Sequence, residues 1–261
     1  MIAVETVGGW AQTYQPRHPA PALRLFGFPY AGAGASTYAG WRLPDELAAE
    51  VWAVQPPGRE TRAREGLIRR IEPYVEACAD GLAALMDRPF AFFGHSMGAL
   101  VAVELTRLLR RRGAALPVHL FVSAHRAPGR PPKRGPMSRL PDDEFVARLL
   151  EGAGDSPVAI RDPELLLAFA GITRVDLELC ERHPHRPQAP LDTPLTCFAA
   201  VDDSEVDVAD VAAWEHHTTG AYRLRTFTGG HLFLAEHGAR ILADVATDLA
   251  RISTRRVRAG G

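Results

Sequence analysis

Short apolar runs alternate with helix-like patterns along most of this chain. Six runs of five to seven residues are typical of strands: 22–28, 51–55, 89–93, 117–123, 195–201 and 222–228. Apolar residues at helical spacing predict helices over 44–50, 71–86, 97–112, 142–150, 162–181, 208–216 and 238–252. Strands that alternate with helices indicate an α/β fold, with a mostly parallel sheet and helices on both faces. Residues 1–20 lack such a pattern and are expected to be irregular.

The alternation is interrupted once, between two predicted core strands. Four prolines within 128–136 predict an irregular arm, and the next two predicted helices belong to the same segment. We therefore predict a core formed by 1–126 and 191–253, a helical lid inserted at 127–190, and a disordered tail at 254–261. The length of 261 residues fits one α/β domain that carries an insertion.

Composition narrows the possible environments and partners. The 46% hydrophobic content is enough for a packed core, and a net charge of -1 argues against a nucleic-acid binder. No apolar run approaches the roughly 20 residues that cross a bilayer, and the N-terminal segment lacks the basic start of a signal peptide. Cys78, Cys180 and Cys197 are odd in number and lack metal-ligand spacing. We expect a cytoplasmic monomer without a metal or cofactor.

The stretch Gly94-His95-Ser96-Met97-Gly98 fits the pattern G-x-S-x-G between a predicted strand and a predicted helix. That context is the one that a nucleophile elbow requires. A serine at such a sharp turn projects its hydroxyl above the sheet, while the glycines leave room where strand and helix come closest. The helix directs free N–H groups and a partial positive charge toward the place where an oxyanion would form.

A second loop rich in small residues, at 29–36, follows the first predicted strand. Small residues let a backbone turn sharply and approach a ligand closely. A phosphate could also be held in this way, but the loop has neither a Gly-Lys-Ser/Thr ending nor dinucleotide-binding spacing. In α/β-hydrolases the loop at this place supplies one N–H of the oxyanion hole.

A serine hydroxyl needs a base to act as a nucleophile at neutral pH, and the base needs an acid to orient it. In α/β-hydrolases these residues follow in the order Ser, Asp/Glu, His, each after a strand. Here Ser96 is followed by Asp202 and Asp203 after one strand, and by His231 after the last strand. Together they predict a catalytic triad.

Two acids compete for the role of orienting acid. We favour Asp203, with Asp202 as the alternative, because a turn directs one of two adjacent side chains toward the imidazole and the other toward solvent. An acid after the strand 117–123 is less suitable, since no carboxylate follows until Asp142. His95, at the variable position of the elbow, is expected to pack rather than to catalyse.

Several separate motifs together resemble one known family over about residues 22–250, the stand-alone type II thioesterases of polyketide and non-ribosomal peptide synthesis. The matching stretches are Phe28-Pro29-Tyr30-Ala31-Gly32, Gln55-Pro56-Pro57-Gly58-Arg59-Glu60-Thr61-Arg62, the elbow, 123–128, 202–214 and Gly229-Gly230-His231-Leu232-Phe233-Leu234.

The resemblance implies an α/β-hydrolase fold and a role for each matching residue. Ser96 would be the nucleophile, His231 the base and Asp203 the orienting acid. The backbone N–H groups of Ala31 and Met97 would form the oxyanion hole. The chain departs from the family at Ala200, often Gly, at His125, often Arg, and at 183–185, where the lid often carries an aromatic residue. The last difference affects the expected acyl-chain preference.

The resemblance also implies a reaction and a partner. The enzyme would hydrolyse aberrant or stalled acyl thioesters from the phosphopantetheine arm of acyl or peptidyl carrier proteins, without a cofactor of its own. Neither a nucleic acid nor a membrane is an expected partner. The alternatives are a carboxylesterase or a medium-chain acyl-carrier-protein thioesterase on the same fold, or a non-catalytic module that binds carrier proteins.

Overall fold

Eight strands form one sheet in the spatial order β1-β2-β4-β3-β5-β6-β7-β8. In chain order they are β1 Glu5–Val7, β2 Ala11–Thr13, β3 Leu23–Phe28, β4 Ala49–Val54, β5 Phe90–His95, β6 Leu120–Ser123, β7 Leu195–Ala200 and β8 Tyr222–Phe227. The pairings from β4 through β3, β5, β6 and β7 to β8 are all parallel, whereas β1 and β2 are antiparallel additions. The mostly parallel α/β sheet predicted from the sequence is confirmed.

The structure is a computed structural model and describes residues 4–153, 163–184 and 186–259. Its α-helices are α1 Ile71–Leu82, α2 Met97–Arg111, α3 Asp142–Ala153, α4 Pro163–Glu181, α5 Val208–Ala212 and α6 Leu234–Ala259. The helix predicted at 162–181 is present as α4 from Pro163, and Asp162 lies outside the described residues. Within the described ranges, none of the helices is long and apolar enough to cross a membrane.

The N-terminal segment is not irregular, which corrects the prediction from the sequence. β2 pairs with β4 in the register Ala11 to Val54 and carries β1 on its outer edge. The neighbouring Trp10 is buried and packs edge-on against Tyr74 of α1, with ring centroids 5.5 Å apart. A strand of three residues has too few positions to show an alternating pattern, so periodicity could not reveal it.

Two helix predictions also needed correction. The helix predicted at 44–50 is a single 3-10 turn, Asp45–Leu47, because Ala48 takes a left-handed φ of 45° and β4 begins directly after it. The last helix begins at Leu234 and its backbone remains helical to Ala259, beyond the predicted end near Ile252. Of the tail predicted to be disordered, residues 260–261 lie outside the described residues.

The sheet is covered on both faces, as β5 illustrates. Phe90 and Phe92 belong to the apolar cluster shared with α1 and α2, and Ala91 and Phe93 belong to the opposite cluster, shared with α6. Side chains on a strand alternate between its faces, so a strand that is apolar throughout must be buried on both. Because β5 lies in the middle of the sheet, the elbow at its end stands on a rigid support.

The inserted segment carries α3 and α4 between β6 and β7. It has a small apolar cluster of its own that includes Phe145 and Ala170. The guanidinium of Arg174 lies 3.9 Å from the centre of the Phe145 ring, which ties α4 to α3. The role of this segment as a lid stays a prediction.

Candidate active site

Ser96 lies at a strained turn between β5 and α2. Its φ of 53° and ψ of -116° are unusual for a residue with a side chain. A Cβ on Gly94 would lie 2.2 Å from the Gly98 carbonyl oxygen, and a Cβ on Gly98 would lie 2.0 Å from the carbonyl oxygen of Phe28. Only glycine fits at both places, so close backbone packing fixes the serine at the sharp turn.

The imidazole of His231 faces the Ser96 hydroxyl from the turn after β8. Its Nε2 atom lies 2.8 Å from Ser96 Oγ, and 15% of the His231 side chain is exposed. At this distance the hydroxyl donates a hydrogen bond to an unprotonated Nε2 atom, the geometry that a general base requires.

The other imidazole nitrogen contacts Asp203. His231 Nδ1 lies 2.9 Å from Asp203 Oδ2, and only 1% of the Asp203 side chain is exposed. The second carboxylate oxygen accepts the N–H groups of Glu205 at 2.8 Å and Val206 at 3.1 Å. Asp202 is exposed and accepts the N–H of Gly229 at 3.1 Å instead. Of the two acids, the structure thus brings Asp203 to the imidazole.

The two partners shift each other's protonation. Burial alone would lower the pKa of His231, but the Asp203 carboxylate outweighs it, so that the pKa is raised above the ordinary 6.5. Burial would likewise raise the pKa of Asp203, but the charge of His231 and the hydrogen bonds from His231, Glu205 and Val206 lower it overall. Asp203 is therefore ionised at neutral pH and stabilises the imidazolium that forms when His231 takes a proton.

His95, the last residue of β5, contacts the backbone of His231. Its Nε2 atom lies 2.9 Å from the carbonyl oxygen of His231, and its Nδ1 atom lies 2.9 Å from Ser123 Oγ. Since a carbonyl only accepts, Nε2 carries the proton and Nδ1 accepts the serine hydroxyl. Burial, and then the charge of His231, lower the pKa of His95 to about 3, so it stays neutral. The sequence assigned His95 to packing and missed its hold on the His231 backbone.

Two backbone amides, those of Ala31 and Met97, donate no hydrogen bond to the protein among the described residues. Met97 is the first residue of α2, where N–H groups have no partner within the helix. Ala31 lies in a turn closed by the Ala33 N–H and the Tyr30 carbonyl, 3.1 Å apart. These are the two amides that the sequence predicts for an oxyanion hole.

The turn that holds Ala31 is anchored to the inserted segment. Asp176 of α4 is 1% exposed, and its Oδ2 atom accepts the Gly32 N–H at 2.8 Å. The same carboxylate forms a buried ion pair with Arg59. Neither link was predicted, although Arg59 belongs to one of the motifs that carry the resemblance.

The loop after β7, which carries Asp203, is also attached to the inserted segment. Lys133 donates to the carbonyl oxygen of Asp203 at 3.0 Å and pairs with Asp207 at 2.7 Å. Arg148 of α3 binds both carboxylate oxygens of Glu205, at 2.9 and 2.6 Å. These cations of the insertion are bound to acidic groups of the same chain. Across the described ranges, no cluster of three or more His, Cys, Asp or Glu side chains could hold a metal ion.

The chain matches a known protein family over most of its length. The family model described as "Thioesterase domain" matches residues 23–249. The gramicidin S biosynthesis protein GrsT of Aneurinibacillus migulanus is 36% identical over 83% of this chain and 85% of its own.

Two solved structures are also similar. The RedJ thioesterase from the prodiginine biosynthetic pathway of Streptomyces coelicolor has a TM-score of 0.81 and 39% identity, over 87% of this chain and 86% of its own. The type II thioesterase BorB from the borrelidin biosynthetic cluster has a TM-score of 0.81 and 34% identity, over 95% of this chain and 100% of its own.

Proposed function

This chain belongs to the thioesterase domain family and is a thioester hydrolase of the α/β-hydrolase fold, and we propose that it is the editing type II thioesterase of a polyketide or non-ribosomal peptide assembly line. In this role it releases aberrant or stalled acyl groups from carrier proteins. The relatives and solved structures of such pathways support the role. The unbroken chain of contacts from Ser96 through His231 to Asp203 supports the chemistry.

The first half of the reaction forms an acyl-enzyme. Ser96 Oγ attacks the thioester carbonyl while His231 Nε2 takes its proton, and Asp203 stabilises the resulting imidazolium. The amides of Ala31 and Met97 donate to the oxyanion, and a single donor of this kind contributes roughly 10²–10³ in rate. When the tetrahedral intermediate collapses, the carbon–sulfur bond breaks and His231 returns the proton to the leaving thiolate.

The second half regenerates the enzyme. Water takes the place of the thiol, His231 removes its proton, and the hydroxide attacks the acyl-enzyme carbonyl. The same two amides hold the second oxyanion. Collapse breaks the ester bond to Ser96, whose oxygen takes back the proton from His231, and a free carboxylic acid leaves. No step requires a cofactor, since the acyl group arrives on the phosphopantetheine arm of the partner.

The insertion would act as the lid over this chemistry. A phosphopantetheine arm needs a channel to Ser96, and α3 and α4 are the helices between β6 and β7 that would shape it. We further propose that the protein is a cytoplasmic monomer. The cysteines Cys78, Cys180 and Cys197 are all free thiols, as is usual in a reducing compartment.

The proposal is tested by hydrolysis of a panel of acyl groups, each loaded on one carrier protein. We expect measurable release by the wild-type enzyme and a loss of about 10⁵-fold or more for Ser96→Ala. Equal rates for the two proteins would rule out the mechanism. A fluorophosphonate probe should label the wild-type chain at Ser96, whereas a module that only binds carrier proteins would remain unlabelled.

The same panel separates the other enzymes of this fold. A carboxylesterase would hydrolyse p-nitrophenyl esters faster than the acyl thioesters on a carrier protein. A medium-chain acyl-carrier-protein thioesterase would prefer medium-length chains over the other acyl groups of the panel.

A further inference from the structure

Asp176 is a single buried carboxylate that binds two different segments of the hydrolase core. Its Oδ2 atom accepts the Gly32 N–H at 2.8 Å and also a hydrogen bond from Arg59 Nη1. Its Oδ1 atom accepts Arg59 Nη2 at 2.9 Å. Such a charge-assisted, bidentate pair has a fixed geometry, so α4 is attached rigidly to the loops after β3 and β4.

Arg59 contacts the other side of the same turn. Its Nη1 atom lies 3.4 Å from the carbonyl oxygen of Ala33, and its Nε atom lies 3.3 Å from the carbonyl oxygen of Pro57. The Asp176 carboxylate holds the turn at Gly32, and the guanidinium holds it at Ala33. Both charges are buried, since 2% of the Asp176 side chain and 5% of the Arg59 side chain are exposed. Removing one would leave the other without an opposite charge in a site shielded from water.

The turn itself leaves little freedom to the Ala31 amide. The Ala33 N–H closes it on the Tyr30 carbonyl, and Gly32 has a φ of 82°, as expected at the third position of a type II turn. The Gly32 N–H belongs to the peptide plane that follows Ala31, so fixing it fixes the backbone on one side of Ala31. A Cβ on Gly32 would lie 2.4 Å from Thr173 Oγ1, so α4 lies directly against the turn.

We propose that Asp176 and Arg59 are positioning residues for the oxyanion hole, through which the inserted segment holds the Ala31 amide in its catalytic orientation. The inference rests on the proposed function, since it takes Ala31 as an oxyanion donor. It gives α4 a second task besides covering the site. A displacement of α4 that carries Asp176 away also releases the loop 29–36, the oxyanion loop. Hydrolysis is therefore fast only while the helix is docked.

The variant Asp176→Asn tests this idea with little change in shape. Asparagine has one acceptor oxygen for three donors, and its NH₂ group would face a donor of Arg59 or Gly32. We expect kcat to fall at least about 10-fold, less than the complete loss of one oxyanion donor. KM should stay within about twofold, because the groups that bind the substrate are unchanged. A helix that only covers the site would instead show a raised KM or a lower Tm with kcat unchanged.

Glu178→Gln is the matched control on the same helix. Glu178 also ties α4 to the core, through Arg69 at 3.2 Å, and its other ion pair is with Arg182 on its own segment rather than with the oxyanion loop. We expect its kcat to stay within about twofold of the wild-type value, since an exposed ion pair contributes little. An equal loss of kcat in both variants would show that any loosening of α4 matters, and would overturn the specific role of Asp176.

Hydrogen exchange at the Gly32 amide tests the link in the wild-type protein, whether or not the variant folds. We expect this amide to exchange at least about 10²-fold more slowly than in an unstructured peptide, and to lose that protection in Asp176→Asn. A rapidly exchanging Gly32 in the wild type, or a folded Asp176→Asn enzyme with normal kcat, would overturn the inference.

The substrate p-nitrophenyl acetate separates this inference from the proposed function, because its ester also passes through an oxyanion. If the wild type hydrolysed this ester but released no acyl group from a carrier protein, the proposed function would fail. The ratio of kcat between wild type and Asp176→Asn on the ester would still measure positioning.

Discussion

In the proposed reaction the nucleophile elbow and the oxyanion loop act on one carbonyl group, yet different forces hold them. The elbow is held by backbone packed on backbone, with Gly98 against the Phe28 carbonyl and Ser96 N–H bonded to the Ser123 carbonyl at 2.8 Å. The oxyanion loop is held by charge, through Asp176 and Arg59. The elbow therefore depends on side-chain volume, and the loop depends on ionised groups brought from distant parts of the chain.

Asp203 resembles the oxyanion loop in that the inserted segment helps to hold it. Asp203 lies on a loop that Lys133 and Arg148 attach to the inserted segment, through the Asp203 carbonyl and the Glu205 carboxylate. The turn that provides the nucleophile is thus held by backbone contacts within the core. The half of the site that provides the acid and one oxyanion donor also rests on the insertion.

The largest effect expected outside the serine itself is at the two adjacent acids. Asp203→Asn should lower kcat by about 10⁴-fold, because the amide cannot hold the imidazole in the tautomer that Ser96 needs. Asp202→Asn should change kcat less than about threefold, since among the described residues Asp202 bonds only to the Gly229 N–H. Steady-state rates on one thioester measure both. The opposite ranking would show that the loop rearranges to present Asp202.

Gly98→Ala tests whether packing volume controls the elbow. The added Cβ would lie 2.0 Å from the Phe28 carbonyl oxygen, and neither backbone can withdraw. We expect about 3 kcal/mol loss of stability, with a loss of activity of at least about 10²-fold. Denaturant unfolding and kcat measure the two effects. In Gly171→Ala, the control within α4, the new Cβ meets nothing within 4 Å, so kcat should stay near the wild-type value and stability should rise by up to about 1 kcal/mol.

The pH dependence of kcat/KM tests how the charge of the Asp203 carboxylate acts on His231. His231 acts as a base only when neutral, and Asp203 raises its pKa above 6.5, so the acid limb of kcat/KM should have its midpoint above pH 6.5. In Asp203→Asn the carboxylate is gone and burial alone remains, so the residual activity should titrate at lower pH. Profiles from about pH 5 to 9 measure this shift. A midpoint that does not move would contradict the assigned partnership.

The smallest effect concerns the strain at the elbow. Ser96 has a φ of 53°, and glycine accepts that conformation without steric cost. Ser96→Gly should therefore raise stability by about 1 kcal/mol, after the greater freedom of glycine in the unfolded chain is counted. The expected gain in Tm is about 2–4 °C for a chain of this size. Ser96→Ala keeps the strain and should show no such gain, which a thermal melt of both variants would reveal.

The difference between the two regions also explains what could be predicted. The elbow rests on small residues close in sequence, so its motif, the strand before it and the helix after it were all visible. The positions of Ser96 and His231 at strand ends predicted that they would meet. The choice between Asp202 and Asp203 stayed open, because it depends on how the loop closes on the N–H groups of Glu205 and Val206.

Asp176 could not be predicted from the sequence. A single carboxylate within a helical pattern is typical of a solvent-facing position, and its partners Gly32 and Arg59 lie 144 and 117 residues away. Residues so far apart leave no local pattern. The two N-terminal strands were missed for the opposite reason, since each is too short to show a period at all.

The distance in sequence between the two halves of the site has a consequence during synthesis on the ribosome. Ser96 and His231 are 135 residues apart, so at usual elongation rates the imidazole emerges on the order of 10 s after the hydroxyl. Asp176, which anchors the oxyanion loop, is synthesised in between. A nascent or prematurely terminated chain that holds the elbow alone has no base for Ser96. Incomplete copies of the enzyme are therefore inert toward the acyl thioesters around them.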